Sequence, residues 1–254
     1  MSRPTPARRQ VETLADGAAV AQAAAELFVT RARAAQADGR DFTVALSGGS
    51  TPRRFHALLA ASPLREQVDW ARVQFFWGDE RCVPPDHADS NYRMARETLL
   101  DAVPVDPEHI HRMHGEDDPA QAARAYEAEV RSVFGVGQGD VPRFDLIYTG
   151  MGPDGHTLSL FPHTAALDVT DRLITENVVP QLNTTRITFT TTLANAASLV
   201  VFVVVGQDKA DALAEVLQGE YNPRQYPSQL IAPTSGELRF LLDQAAAAKL
   251  TPRG

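Results

Sequence analysis

Asp154 and His156 stand two residues apart in the stretch Gly150-Met-Gly-Pro-Asp-Gly-His156, and together they are suited to moving a proton. A histidine with a pKa near neutrality can take a proton from water at pH 7, and a carboxylate beside it can orient the ring. A single loop histidine is also a common structural element, so the pair gains meaning only from its company. Three other polar, glycine-containing stretches provide it: Ser47-Gly-Gly-Ser-Thr-Pro52, Gly78-Asp-Glu-Arg81 and Gly206-Gln-Asp-Lys209.

The first of these reads as a phosphate cradle. Gly48 and Gly49 let the backbone approach a ligand, Thr51 is suited to cap a helix and Pro52 to begin it, so Ser50, Thr51 and their free amides would face an anion. An ordinary strand-to-helix turn explains the same residues, and the Gly-Lys-Ser/Thr ending of a Walker loop is missing. Lys209 favours the cradle. It falls in the first turn of an expected helix, where a cation opposes the helix dipole and gains a reason to be there if an anion is shared; a solvated lysine is the alternative. Arg53 and Arg54 share that awkward position and are expected to face solvent.

Gly150, Gly152 and Gly155 also match the dinucleotide fingerprint G-x-G-x-x-G, with Glu176 near the place of a ribose-binding acid. Pro153 removes an amide donor inside that turn and Pro162 limits any following helix, so a dinucleotide site is not expected. His109, His111 and His114 with Glu116, Asp117 and Asp118 form the one metal-like cluster, but without strict ligand spacing they read as a solvated loop leading into a helix. Cys82 has nothing beside it that marks an activated thiolate.

Elements must bring these stretches together. The runs Phe42–Leu46, Val73–Trp77, Phe144–Tyr148 and Leu199–Val205 are short, apolar and rich in β-branched and aromatic residues, which predicts buried strands. Helical spacing and alanine-rich composition mark 16–37, 52–60, 91–100, 119–134 and 208–218. Leu173–Val179 and Arg186–Thr190 read as additional or edge strands. Strand and helix alternate, so the expected fold is α/β: a mostly parallel sheet covered by helices on both faces, in one domain over residues 1–254. Each strong strand runs directly into one of the four polar loops, which would then gather at the carboxyl ends of the strands, where open α/β sheets bind ligands.

Composition bounds the partners. The chain has 254 residues, 44% of them hydrophobic, so it can bury a large core. With 24 basic and 32 acidic residues its formal net charge is -8, which argues against nucleic acid as a partner and confines any anion site to a local pocket. The longest apolar run is too short to cross a bilayer, so no membrane partner is expected. One cysteine leaves no intrachain disulfide, and the cytoplasm is the simplest setting.

With these stretches in order, the sequence resembles the 6-phosphogluconolactonase family. The resemblance rests on Leu46-Ser-Gly-Gly-Ser-Thr-Pro52, Trp77-Gly-Asp-Glu-Arg81 with Ser90-Asn-Tyr92, Gly150 through Thr157 with Ser159-Leu-Phe-Pro162, Arg186-Ile-Thr188 and Gly206-Gln-Asp-Lys-Ala210, and it covers nearly the whole chain. It implies a Rossmann-like sheet shared with glucosamine-6-phosphate deaminases and hydrolysis of 6-phospho-D-glucono-1,5-lactone, a phosphorylated sugar lactone, without metal or organic cofactor. It further implies that Gly48, Gly49, Ser50 and Thr51 lie in a phosphate loop, that Arg81, Lys209 and Arg186 are basic site residues, and that His156 is the general base with Asp154 beside it. Asp79 falls where the deaminases place a catalytic carboxylate. Two departures stand out: Thr149 replaces an apolar residue common in the family, and Gln181-Leu-Asn-Thr-Thr185 replaces a more proline-rich approach to Arg186.

The rival readings are a glucosamine-6-phosphate deaminase and a catalytically silent sugar-phosphate sensor. The deaminase pattern Asp-Glu-Tyr at the second loop and Asp-Gly-His-Ile-Ala-Phe-Asn-Glu at the third differs from Asp79-Glu-Arg81 and from Asp154 through Phe161 here, and the glutamate of the ring-opening machinery is absent.

Overall fold

The computed structural model describes residues 4–251. Six strands form one parallel sheet: β1 (Arg8–Leu14), β2 (Phe42–Leu46), β3 (Val73–Trp77), β5 (Leu146–Thr149), β8 (Leu199–Val204) and β9 (Glu237–Asp243). Their spatial order is β1-β9-β8-β5-β2-β3. A second, antiparallel sheet in the order β4-β7-β6 is made of β4 (Asp79–Arg81), β6 (Ile174–Val179) and β7 (Thr184–Phe189). The helices are α1 (Gly17–Ala37), α2 (Ser50–Leu59), α3 (Asn91–Thr98), α4 (Pro119–Phe134), α5 (Thr191–Ala194) and α6 (Ala210–Leu217).

The uninterrupted apolar runs follow from burial of both sheet faces. Alternate residues point to opposite sides: Val44, Phe75, Trp77, Tyr148 and Val201 pack with Phe28 of α1 and Phe55 of α2, while Ala45, Phe76, Ile147, Val200 and Phe202 pack with Tyr126 of α4 and Leu213 of α6. Ile187 and Phe189 of the small sheet join this second core. The expected mostly parallel sheet with helices on both faces is thus the observed one.

Several boundaries differ from the sequence reading. Thr51 does not cap α2. Gly49, at φ +113°, turns the chain two residues earlier, so Ser50 and Thr51 are already helical and Pro52 is the third helical residue. Asn91–Leu100 ends its α-helix at Thr98 and finishes in a 3₁₀ turn, and 208–218 begins as a 3₁₀ turn, Gln207–Lys209, before α6. The strand expected at Phe144–Tyr148 is Leu146–Thr149. Strands β1, β4 and β9 were not anticipated. β1 has a largely exposed edge, so its alternation is weak, and β4 is only three residues long. Leu173–Val179 and Arg186–Thr190 do form strands, but in the small sheet.

Nothing α-helical follows the G-x-G-x-x-G loop until α5, and Glu176 sits in β6 paired with Arg172 at 3.3 Å. His111 departs from the solvated-loop reading: it is buried, with ring nitrogens 2.8 Å from both Glu129 Oε1 and Gln74 Oε1.

The topology explains the site. From β2 the chain moves to β3 on one side, and from β5 it moves to β8 on the other. The loops leaving β2 and β5 therefore diverge and leave a crevice at their carboxyl ends.

Candidate active site

The loop after β5 is tied into shape by its own side chains. Thr149 Oγ1 and Thr157 Oγ1 are 2.7 Å apart, Thr157 donates to Gly150 O (2.9 Å), and Leu158 N donates to Thr149 Oγ1 (3.2 Å). A hydroxyl at position 149 is therefore used, where an apolar side chain would leave the Leu158 amide unsatisfied. Gly152 N donates to His156 O (2.9 Å), and Gly155 adopts φ +78°. A Cβ on Gly152 would lie 2.1 Å from His156 Nδ1, so only glycine lets the ring fold back over the turn.

Within this turn Asp154 Oδ1 lies 2.6 Å from His156 Nδ1 and also accepts from His156 N at 3.1 Å. Burial works to raise the Asp154 pKa, but these hydrogen bonds and the imidazole charge outweigh it and the net shift is downward. An ionised carboxylate only accepts, so Nδ1 carries a hydrogen, and Nε2 is the nitrogen that offers a lone pair whenever the ring is neutral. The imidazole stacks on Phe161 at 4.1 Å with 24° between the rings, which fixes its plane.

β4 brings the second group. Strand alternation turns Asp79 and Arg81 into the cleft and Glu80 away from it. Asp79 is buried and accepts from Ser159 Oγ at 2.6 Å, which ties β4 to the loop that carries His156. Leu158 allows this by adopting φ +53°, a left-handed conformation costing about 1–3 kcal/mol for a branched residue. Glu80, only 2% exposed, faces the start of α3, and burial raises its pKa against the pull of three backbone hydrogen bonds.

Arg81 and Arg186 are register partners across β4 and β7. Among the described residues their guanidinium hydrogen bonds reach only neutral oxygens: Arg81 donates to Asp89 O (2.6 Å), Arg186 to Thr184 Oγ1 (2.7 Å) and Thr185 O (3.3 Å). Burial, and then the charge of Arg81, pull the Arg186 pKa down. Asp79 and Asp89 act on Arg186 only through space, and two neighbouring guanidinium groups with no direct ion pair among the described residues make a place for an anion. Lys209 differs, because its ammonium pairs with Asp208 at 2.7 Å.

Asp79, Arg81, Asp154, His156, Arg186, Lys209 and Gly48 line one cleft of about 490 Å³, a volume suited to a small ligand. Larger hollows of about 720 Å³ beside α1 and 600 Å³ beside β1 lack such a set of converging groups, so chemistry rather than size singles out this cleft. Gly49, Ser50 and Thr51 do not line it. They form the cap and first turn of α2, and Ser50 is exposed. Ser47, Asn91, Ser159, Phe161 and Leu182 do line it but were not singled out as site residues. Asn91 stands in a stretch that resembled the family, yet at the start of a helix its type alone signals capping.

Residues 15–240 match the family of Glucosamine-6-phosphate isomerases/6-phosphogluconolactonase. The chain belongs to this family. It is 44% identical over 245 residues to a 6-phosphogluconolactonase of Nostoc sp., covering 96% of this chain and 99% of that one. It is 46% identical over 244 residues to a 6-phosphogluconolactonase of Synechocystis sp., with the same coverage. Among solved structures, the 6-phosphogluconolactonase from Trypanosoma cruzi superposes with a TM-score of 0.85 at 26% identity, covering 99% of this chain and 100% of that one. A monomeric glucosamine-6-phosphate deaminase superposes with a TM-score of 0.80 at 17% identity, covering 95% and 100%, and shares the fold.

Proposed function

We infer that the chain hydrolyses 6-phospho-D-glucono-1,5-lactone to 6-phospho-D-gluconate, a step of the oxidative pentose phosphate pathway. The observation that carries the reading is the Asp154–His156 pair in one cleft with Arg81 and Arg186. The 6-phosphogluconolactonase names of its nearly full-length relatives support the same substrate.

A lactone is an activated ester, so a positioned water and a base suffice and no acyl-enzyme is needed. Water attacks the lactone carbonyl carbon while His156 Nε2 takes its proton, and Asp154 stabilises the imidazolium that results. The carbonyl electron pair moves to oxygen, where Arg81 or a loop amide donates a hydrogen bond. Collapse of this intermediate breaks the ring carbon–oxygen bond, and the imidazolium returns its proton to the departing ring oxygen. The phosphate binds through Arg186 and Arg81, with Lys209 and the Gly48 backbone completing the site, while Gly49, Ser50 and Thr51 stay outside the lining, and its binding energy fixes the ring for attack. Asp79, held by Ser159, faces the sugar as an acceptor for its hydroxyl groups. The chain acts as one domain, and its single cysteine suits a cytoplasmic setting.

The test offers freshly made 6-phosphogluconolactone and, separately, glucosamine 6-phosphate, with spontaneous hydrolysis subtracted. Acceleration of the first alone is expected. Ammonia released from the second would make the chain a deaminase, and tight binding without turnover would make it a sensor.

A further inference from the structure

Glu80 takes no part in the mechanism above, yet it is one of the most heavily used side chains near the cleft. Its Oε1 accepts from the amides of Arg81 (2.7 Å) and Asn91 (2.8 Å), and its Oε2 from the amide of Tyr92 (2.8 Å) and the hydroxyl of Ser90 (3.1 Å). The chain leaves β4 at Arg81 and enters α3 at Asn91, so one buried carboxylate joins both ends of the intervening loop. Both ends line the cleft. Asn91 is fixed further, because its Nδ2 donates to Asp79 O (2.9 Å) and its Oδ1 lies only 1.8 Å from where a Cβ on Gly48 would be. Asn91 therefore fills the space that glycine leaves at position 48, and its place depends on Glu80.

We propose that Glu80 is a positioning residue for substrate binding, setting Arg81 and Asn91 in the cleft by accepting hydrogen bonds from both ends of the loop between them. The proposal rests on the lactonase reading and predicts a defect in binding rather than in proton transfer, since Asp154 and His156 sit on a different loop. A glutamine at this position has the same shape but presents an NH₂ group to two of the donors, so those bonds are lost and two donors face each other. An aspartate keeps every acceptor on a shorter stem.

The experiment is steady-state hydrolysis of 6-phosphogluconolactone by the full chain. For Glu80→Gln the KM is expected to rise roughly 10- to 100-fold, with kcat within a few fold of wild type. Glu80→Asp should recover part of the loss. In a chain already carrying Arg81→Ala, adding Glu80→Gln should raise KM by less than it does alone, because the two act through one contact. Should Glu80→Gln not fold, Ser90→Ala removes one donor and is expected to shift KM in the same direction by a smaller factor. An unchanged KM, a fall in kcat alone, or full additivity with Arg81→Ala would overturn the proposal while leaving the lactonase reading intact. A wild-type chain without turnover would overturn both.

Discussion

Asp154 and His156 meet within a single seven-residue turn, whereas Arg81 and Arg186 meet only because β4 and β7 pair across a second sheet. The first arrangement is local: two glycines, a carboxylate and a backbone hydrogen bond place the imidazole, and Phe161 five residues on holds its plane. The second depends on partners scattered along the chain, including Glu80, Asp89 and Thr184. Proton transfer needs one group held accurately, and a short rigid turn achieves that. Anion binding needs like charges brought together, which costs energy and so requires supports from several elements.

The largest expected effect falls on the local part. His156→Ala should lower kcat by roughly 10²- to 10⁴-fold, the usual range for a general base, with KM nearly unchanged. Steady-state kinetics read both, and a loss confined to KM would erase the distinction between the two regions. Arg186→Ala should do the reverse, raising KM about 10- to 100-fold through loss of a charged hydrogen bond, with kcat largely kept. Lys209→Ala should raise KM by a smaller factor of about 2 to 5, because Asp208 already neutralises part of its charge. Equal effects for Lys209 and Arg186 would show that the phosphate is shared evenly.

A second histidine provides a control outside both regions. His56 of α2 is fully buried; its Nδ1 faces Thr98 Oγ1 at 3.2 Å, and its Nε2 has no hydrogen-bond partner among the described residues. Burial, aided by Arg53, pulls its pKa from 6.5 to about 3. The unfolded chain then binds a proton that the folded chain refuses, so this contribution to stability is complete above pH 6.5 and is lost as pH falls toward 3. Between pH 6.5 and 4.5 the loss amounts to roughly 2–3 kcal/mol. Denaturant unfolding at the two pH values should show a smaller drop for His56→Leu, with lactone turnover at pH 7 unchanged. An equal drop in both chains would assign the acid sensitivity elsewhere.

The parallel sheet was legible because its central strands are buried on both faces and must read as continuous apolar runs. β1 was not, since an edge strand such as Arg8–Leu14 mixes exposed and half-buried residues, and β4 offers only three residues to read. Asp154 and His156 were legible as a candidate pair because a carboxylate two residues from a histidine in a glycine-rich loop has few uses, whereas Gly152 read only as part of a discounted dinucleotide fingerprint. Asn91 and Ser159 were not, since both serve equally well as caps or surface residues until a neighbour fixes them.

The amino-acid sequence by itself determined the order of the four apolar strands and of the loops that follow them, the local Asp154–His156 turn, and that in an acidic chain any anion site must be a confined pocket. Those features depend on neighbours a few residues apart or on composition. Only the tertiary structure decided that Arg81 faces Arg186, that Gly49, Ser50 and Thr51 leave the cleft lining to Ser47, Gly48 and Asn91, and that Glu80 serves the cleft from behind. Strand pairing and helix entry join residues with no local signal for each other, so their contacts exist only once the sheet and its core have formed.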